Sequence, residues 1–131
     1  MEQEVYSGRL KLDGEEHDST LRAANNYTAT LVGLERFDEV KTLMRKTIPV
    51  ARRFLGENNE VTLAMKLHYA MALYRDDGAT LDDLREAATT LEETERTARR
   101  VFGGAHPFTV DIEREMRDAR AALRARETPQ R

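Results

Sequence analysis

The side chains able to do chemistry are few. The histidines are His17, His68 and His106. His17 and His106 each stand three residues after a glycine (Gly14, Gly103) and three before a threonine (Thr20, Thr109). Equivalent placement at two turns points to bonding at a helix end. A metal site needs at least three convergent ligands, and no two histidines have helical ligand spacing, so no metal is expected. The carboxylates come in adjacent pairs: Glu15-Glu16, Asp76-Asp77, Asp82-Asp83 and Glu92-Glu93. Adjacent residues on a helix point in different directions, so these read as solvated faces and helix-dipole partners rather than acid–base pairs. Asp76-Asp77-Gly78-Ala79-Thr80 is rich in oxygen but lacks the spacing of a calcium loop. Ser7 and Ser19 have no identifiable base, Gly103-Gly104 is a turn rather than a phosphate cradle, and there is no cysteine. The expectation is a protein that is not an enzyme and uses no cofactor.

Charge narrows the partners. Basic residues number 21 and acidic 24, for a formal net charge of −3. That balance exerts no general pull on nucleic acid or an anionic membrane. Arg96, Arg99, Arg100, Arg114, Arg117, Arg120 and Arg124 are interleaved with Glu92, Glu93, Glu95, Glu113, Glu115 and Asp118. Glu92–Arg96 and Glu113–Arg117 are spaced as helix neighbours of opposite sign. No nucleic acid is expected. No apolar run reaches the length of a membrane span, and Met1 to Gly8 lack the apolar core of a signal peptide. A cytoplasmic protein with no membrane partner is the expectation.

The elements that hold these residues follow from an internal repeat. Ala51-Arg52-Arg53-Phe54-Leu55-Gly56 recurs as Ala98-Arg99-Arg100-Val101-Phe102-Gly103, and the turn after each glycine has an earlier counterpart in Gly14 to Thr20. Thr20 to Thr62 spans 42 residues and Thr62 to Thr109 spans 47. The extra five match the loop-like Asp76–Thr80, and insertions in repeat proteins fall in loops. Each unit reads as two helices. Leu21, Ala24, Tyr27, Thr28 and Leu31 share one helical face, with Ser19 or Asp18 as the cap. Phe37, Val40, Leu43, Met44, Ile48, Ala51 and Leu55 share the next, which stops at Gly56. Pro49 should bend that helix, or break it near Arg45-Lys46. The second unit has helices from about Glu60 to Arg75 and Leu81 to Phe102. A final helix starts at Pro107, a favoured first-turn residue, and runs to about Arg126. The predicted class is all-α, an α-solenoid of antiparallel helix pairs in a single domain. Its parts are an N-terminal segment (1–16), two units (17–56 and 57–103), a closing helix (104–126) and a frayed tail (127–131).

The Gly-x-x-His-(Pro)-x-Thr junction, Asn26-Tyr27-Thr28 and Phe37-Asp38-Glu39-Val40 resemble the tetratricopeptide repeats of kinesin light chains, over about Asp13 to Leu123. Thr28 stands where the family commonly has alanine. The family's asparagine is kept as Asn26, and His68 and Glu115 take its place in the later units. Pro49 and the Asp76–Thr80 insertion also depart from the pattern. The resemblance implies a tetratricopeptide-like superhelix of about two and a half repeats. It also implies a concave groove lined by the first helix of each unit. The groove positions are then Arg22, Asn25, Asn26 and Ala29; Leu67, His68, Met71 and Arg75; and Asp111, Arg114, Glu115 and Asp118.

That groove implies a module that binds a protein or peptide partner without a chemical step. Asparagines can pair with an extended backbone, Leu67 and Met71 can hold an apolar side chain, and Arg22, Arg75 and Arg114 can pair with carboxylates. The alternative from another class is a structural element that self-associates into a homo-oligomer. The residues before Asp13, including Val5, Tyr6, Leu10 and Leu12, read as the tail of an earlier second helix.

Overall fold

The computed structural model describes residues 2–14 and 17–128. Its elements are α1 (Glu2–Asp13), α2 (Asp18–Gly33), α3 (Phe37–Phe54), α4 (Glu60–Arg75), α5 (Leu81–Phe102) and α6 (Pro107–Glu127), and there is no strand among the described residues. The end of the expected tail, 129–131, and the pair Glu15-Glu16 lie outside the described residues.

One junction is built three times. Gly14, Gly56 and Gly103 have φ of +81°, +95° and +92°, a backbone state open to glycine and costly for other residues. Three residues later an imidazole or amide caps the next helix. His17 accepts from the Ser19 N–H, Asn59 from Val61 and His106 from Phe108. Three residues later again comes a buried threonine. Thr20 Oγ1 donates to the Arg9 carbonyl at 3.1 Å and Thr62 Oγ1 to the Ala51 carbonyl at 3.4 Å, the same interval back along the chain. The expected cap at Ser19 or Asp18 is therefore corrected to His17. Its extended backbone (φ −108°, ψ 141°) aims Nδ1 back at the first turn.

The other connections differ. Between α2 and α3 the chain reverses at Glu35 (φ +58°), with Arg36 N–H bonded to the Leu31 carbonyl. Between α4 and α5, Asp76 accepts the Gly78 N–H and a bond from Lys41 of α3. Both bonds hold its carboxyl below the usual range, the Gly78 N–H first. Thr80 and Asp83 form a capping box at the start of α5, and Arg126 of α6 donates to the Ala79 carbonyl. The insertion is thus tied to helices on both sides.

Pro49 does not break α3, which runs unbroken from Phe37 to Phe54. The residue is exposed, so the carbonyl left without its helical donor is on a solvated face, where water can replace the lost bond. The expected pairs Glu92–Arg96 and Glu113–Arg117 are also replaced. Glu92 pairs with Arg120 at 3.0 Å and Glu113 with Arg99 at 3.3 Å, so these charges tie α5 to α6.

Each helix packs on the next, and α4 also packs on both α2 and α6. α4 is therefore enclosed, and Leu63, Met65 and Leu73 are fully buried within it. Alanines with no exposure (Ala24, Ala51, Ala70, Ala72, Ala87, Ala98, Ala119) let the helices approach. Each fully buried leucine contributes about 1.5–3 kcal/mol. None of the described helices is long and apolar enough to cross a membrane.

Candidate binding groove

α2, α4 and α6 each follow a glycine junction, and they lie side by side with α4 in the middle. The first halves of α2 and α4, with the cap residue Asn59, border a hollow of about 420 Å³ lined by Arg22, Asn25, Asn26, Asn59, Glu60, Val61 and Ala64. Further along the same helices, with α6 as the far wall, lies a second hollow of about 320 Å³. Ala29, Val32, Gly33, Leu67, His68, Met71, Arg75, Asp111, Arg114 and Glu115 line it. Every groove residue expected from the sequence lines one of these hollows except Asp118, which is exposed and lines neither.

His68 links the two. Its Nδ1–H donates to Asn25 Oδ1 at 3.1 Å. Burial lowers its pKa to about 4, so the ring is neutral at pH 7 and bridges α2 and α4 as a hydrogen-bonding group.

At the other wall, Glu115 is 5% exposed. Both its oxygens accept from Arg75 Nη2 at 2.7 Å, and the Tyr74 hydroxyl donates to Oε1. Burial opposes the Arg75 charge, but its bonds to Tyr74 and Glu115 outweigh it and raise the guanidinium above its ordinary value. Burial, reinforced by the Glu115 carboxylate, pushes the Tyr74 phenol well up. This cluster, in which Glu115 is buried and Arg75 is exposed, joins α4 to α6.

The arginines expected to meet an acidic ligand all have carboxylates of their own. Arg22 pairs with Asp18 at 2.8 Å, Arg114 with Asp111 at 3.2 Å, and Arg75 with Glu115. The two exposed pairs are weak and can exchange partners. Arg75 is committed, because withdrawing it would strand a buried carboxylate. Leu67, expected to offer an apolar contact, is only 7% exposed. The accessible groups are the exposed Asn26, whose amide has no partner among the described residues, the exposed Ala29 and the half-buried Met71.

No protein-family model, curated protein or solved structure matches the chain.

Sequence reasoning missed Val32, Glu60, Val61, Ala64 and Tyr74, and assigned Gly33 only to a helix end and Asn59 only to a turn. A signal existed for part of this set. Ala64 and Glu60 continue the face of His68 and Met71 toward the start of α4 at helical spacing. The Tyr74 bond had no such signal, because it depends on α6 arriving beside α4.

Proposed function

We propose that this chain is a tetratricopeptide-like helical-repeat module that binds an extended segment of another protein along the face of α2, α4 and α6, with no catalytic step. The observation that carries this reading is that the residues expected to line a groove fall into two hollows joined through one bond, Asn25 to His68. The thrice-built junction and the contacts α2–α4 and α4–α6 support a stack of helix pairs, as in solenoids. Among the described residues, no group of three or more His, Asp or Glu is arranged to hold a metal.

The chemistry favours a particular ligand. Asn26 can donate to and accept from a peptide backbone. Ala29 and Met71 offer a site for one apolar side chain. The internally paired arginines make a strongly acidic ligand the weaker choice. Selection from a random peptide library tests this. The expected peptides carry an apolar anchor and lose at least ~10-fold in affinity on Ala29→Arg, which plugs the second hollow from an exposed helical position at little cost in propensity. Selected peptides that bind the plugged chain equally well would overturn the assignment.

A further inference from the structure

The amides that line the first hollow have a fixed sense. Asn25 Oδ1 accepts the Nδ1–H of the neutral His68 ring at 3.1 Å. Asn59 Oδ1 accepts the Val61 N–H at 2.8 Å. With both oxygens engaged, each side chain is left to offer the hollow its Nδ2 hydrogens, which only donate. Among the described residues neither Nδ2 has a partner, and neither is shut off from solvent.

The same hollow holds one free acceptor of opposite character. Glu60, the first residue of α4, is exposed and has no partner among the described residues. Arg22 is paired with Asp18 at 2.8 Å, which offsets its charge. A ligand carboxylate would suit the Nδ2 donors but be repelled by Glu60. A ligand ammonium would suit Glu60 but face the Nδ2 hydrogens. An apolar side chain would strip water from all of them without replacing a bond. A carboxamide carries an acceptor oxygen and a donor nitrogen side by side, and so meets both. The spacing to the second hollow is also set. Arg22 and Ala29 are seven residues apart on α2, as are Ala64 and Met71 on α4, about 10 Å along a helix. A segment in polyproline-II conformation turns every third side chain to one side, about 9 Å apart.

We infer that the first hollow selects a glutamine or asparagine of the ligand, three residues from the aliphatic side chain that enters the second. The carboxamide oxygen accepts from the Nδ2 groups of Asn25 and Asn59, and the carboxamide nitrogen donates to Glu60. His68 is a positioning residue, because its bond to Asn25 turns that amide toward the ligand. This assignment rests on the groove reading above and names the chemistry of its ligand.

The probes are fluorescently labelled, end-capped peptides on an uncharged, proline-rich frame with a central leucine. The position three residues before or after the leucine is set in turn to Gln, Asn, Glu, Lys or Leu, and each peptide is titrated into the full chain by anisotropy at pH 7.5. One of the two positions should prefer Gln or Asn at least ~10-fold over the others. Asn25→Asp removes the donors but keeps an oxygen for the His68 Nδ1–H. It should turn the preference toward Lys, with circular dichroism unchanged. Glu60→Gln, at an exposed position, should admit Glu about as well as Gln. Imidazole nitrogen shifts should show the Nδ1–H form of His68. Ala29→Arg should weaken every peptide alike. If no peptide binds, or Ala29→Arg changes nothing, the groove reading fails and the inference falls with it. If Ala29→Arg weakens binding, three results overturn the inference alone: no preference for an amide at either position; a preference that survives both Asn25→Asp and Glu60→Gln; or a His68 proton on Nε2.

Discussion

Asn26, His68 and Glu115 occupy one register position in α2, α4 and α6, and each meets a different environment. Among the described residues no earlier helix of this kind lies beside Asn26, which is exposed. His68 turns back to α2 and makes one neutral bond, to Asn25. Glu115 turns back to α4 and is buried, bonded to the exposed Arg75 and the half-buried Tyr74. One position thus serves as an open contact, a neutral tie and a charged tie. Low-dielectric surroundings strengthen a satisfied charged cluster and penalise a broken one. The seam between α4 and α6 should therefore be the costlier to break and insensitive to pH near neutrality, and the seam between α2 and α4 should be the weaker and pH-dependent.

The sharpest way to break this contrast is Arg75→Met. It strands the Glu115 carboxylate, with only Tyr74 left to bond it, and should destabilise the chain by about 2–4 kcal/mol in urea unfolding. Adding Glu115→Leu should recover much of that loss, because the buried charge goes with its partner. A single-variant cost below about 1 kcal/mol would mean that the cluster does not hold the seam.

The next effect comes from His68. It stays neutral in the fold down to pH of about 4, whereas in the unfolded chain it takes up a proton below about 6.5. The unfolded state therefore binds more protons as the pH falls from about 6.5 to about 4. The histidine costs nothing above that window and about 2 kcal/mol by pH 5. In His68→Asn, urea unfolding at pH 7.5 and pH 5 should show a decline smaller by about that amount. Equal declines in variant and parent would show that His68 is solvated.

The smallest effect is Asn25→Ala. It removes the acceptor of the His68 bond and should cost about 0.5–1.5 kcal/mol at pH 7.5. A loss as large as that of Arg75→Met would erase the distinction between the seams.

The glycine junctions and helix faces were legible because each is local: a left-handed glycine, a capping side chain and a 3.6-residue period lie within a few residues of one another. The equivalence of His17, Asn59 and His106 was readable for the same reason. Helical periodicity placed Arg22, Asn26, Met71 and Arg75 on faces, but it did not show what those side chains would do. Arg75 is consumed by Glu115, 40 residues away, and Leu67 is covered by its neighbours. The rerouting of Glu92 and Glu113 to α6 is of the same kind, since a helix-spaced pair competes with whatever arginine the next helix delivers. Of the two outcomes expected at Pro49, a bend or a break, the break does not occur, because the lost bond faces water.

The central claim, that a ligand segment lies along α2, α4 and α6, is tested most directly by amide and methyl chemical-shift mapping of a selected peptide on the isotope-labelled chain. The account predicts perturbations concentrated at Asn26, Ala29, His68 and Met71, with Arg75 and Glu115 still paired. Perturbations confined to the α3 or α5 side, with those four residues unmoved, would contradict it.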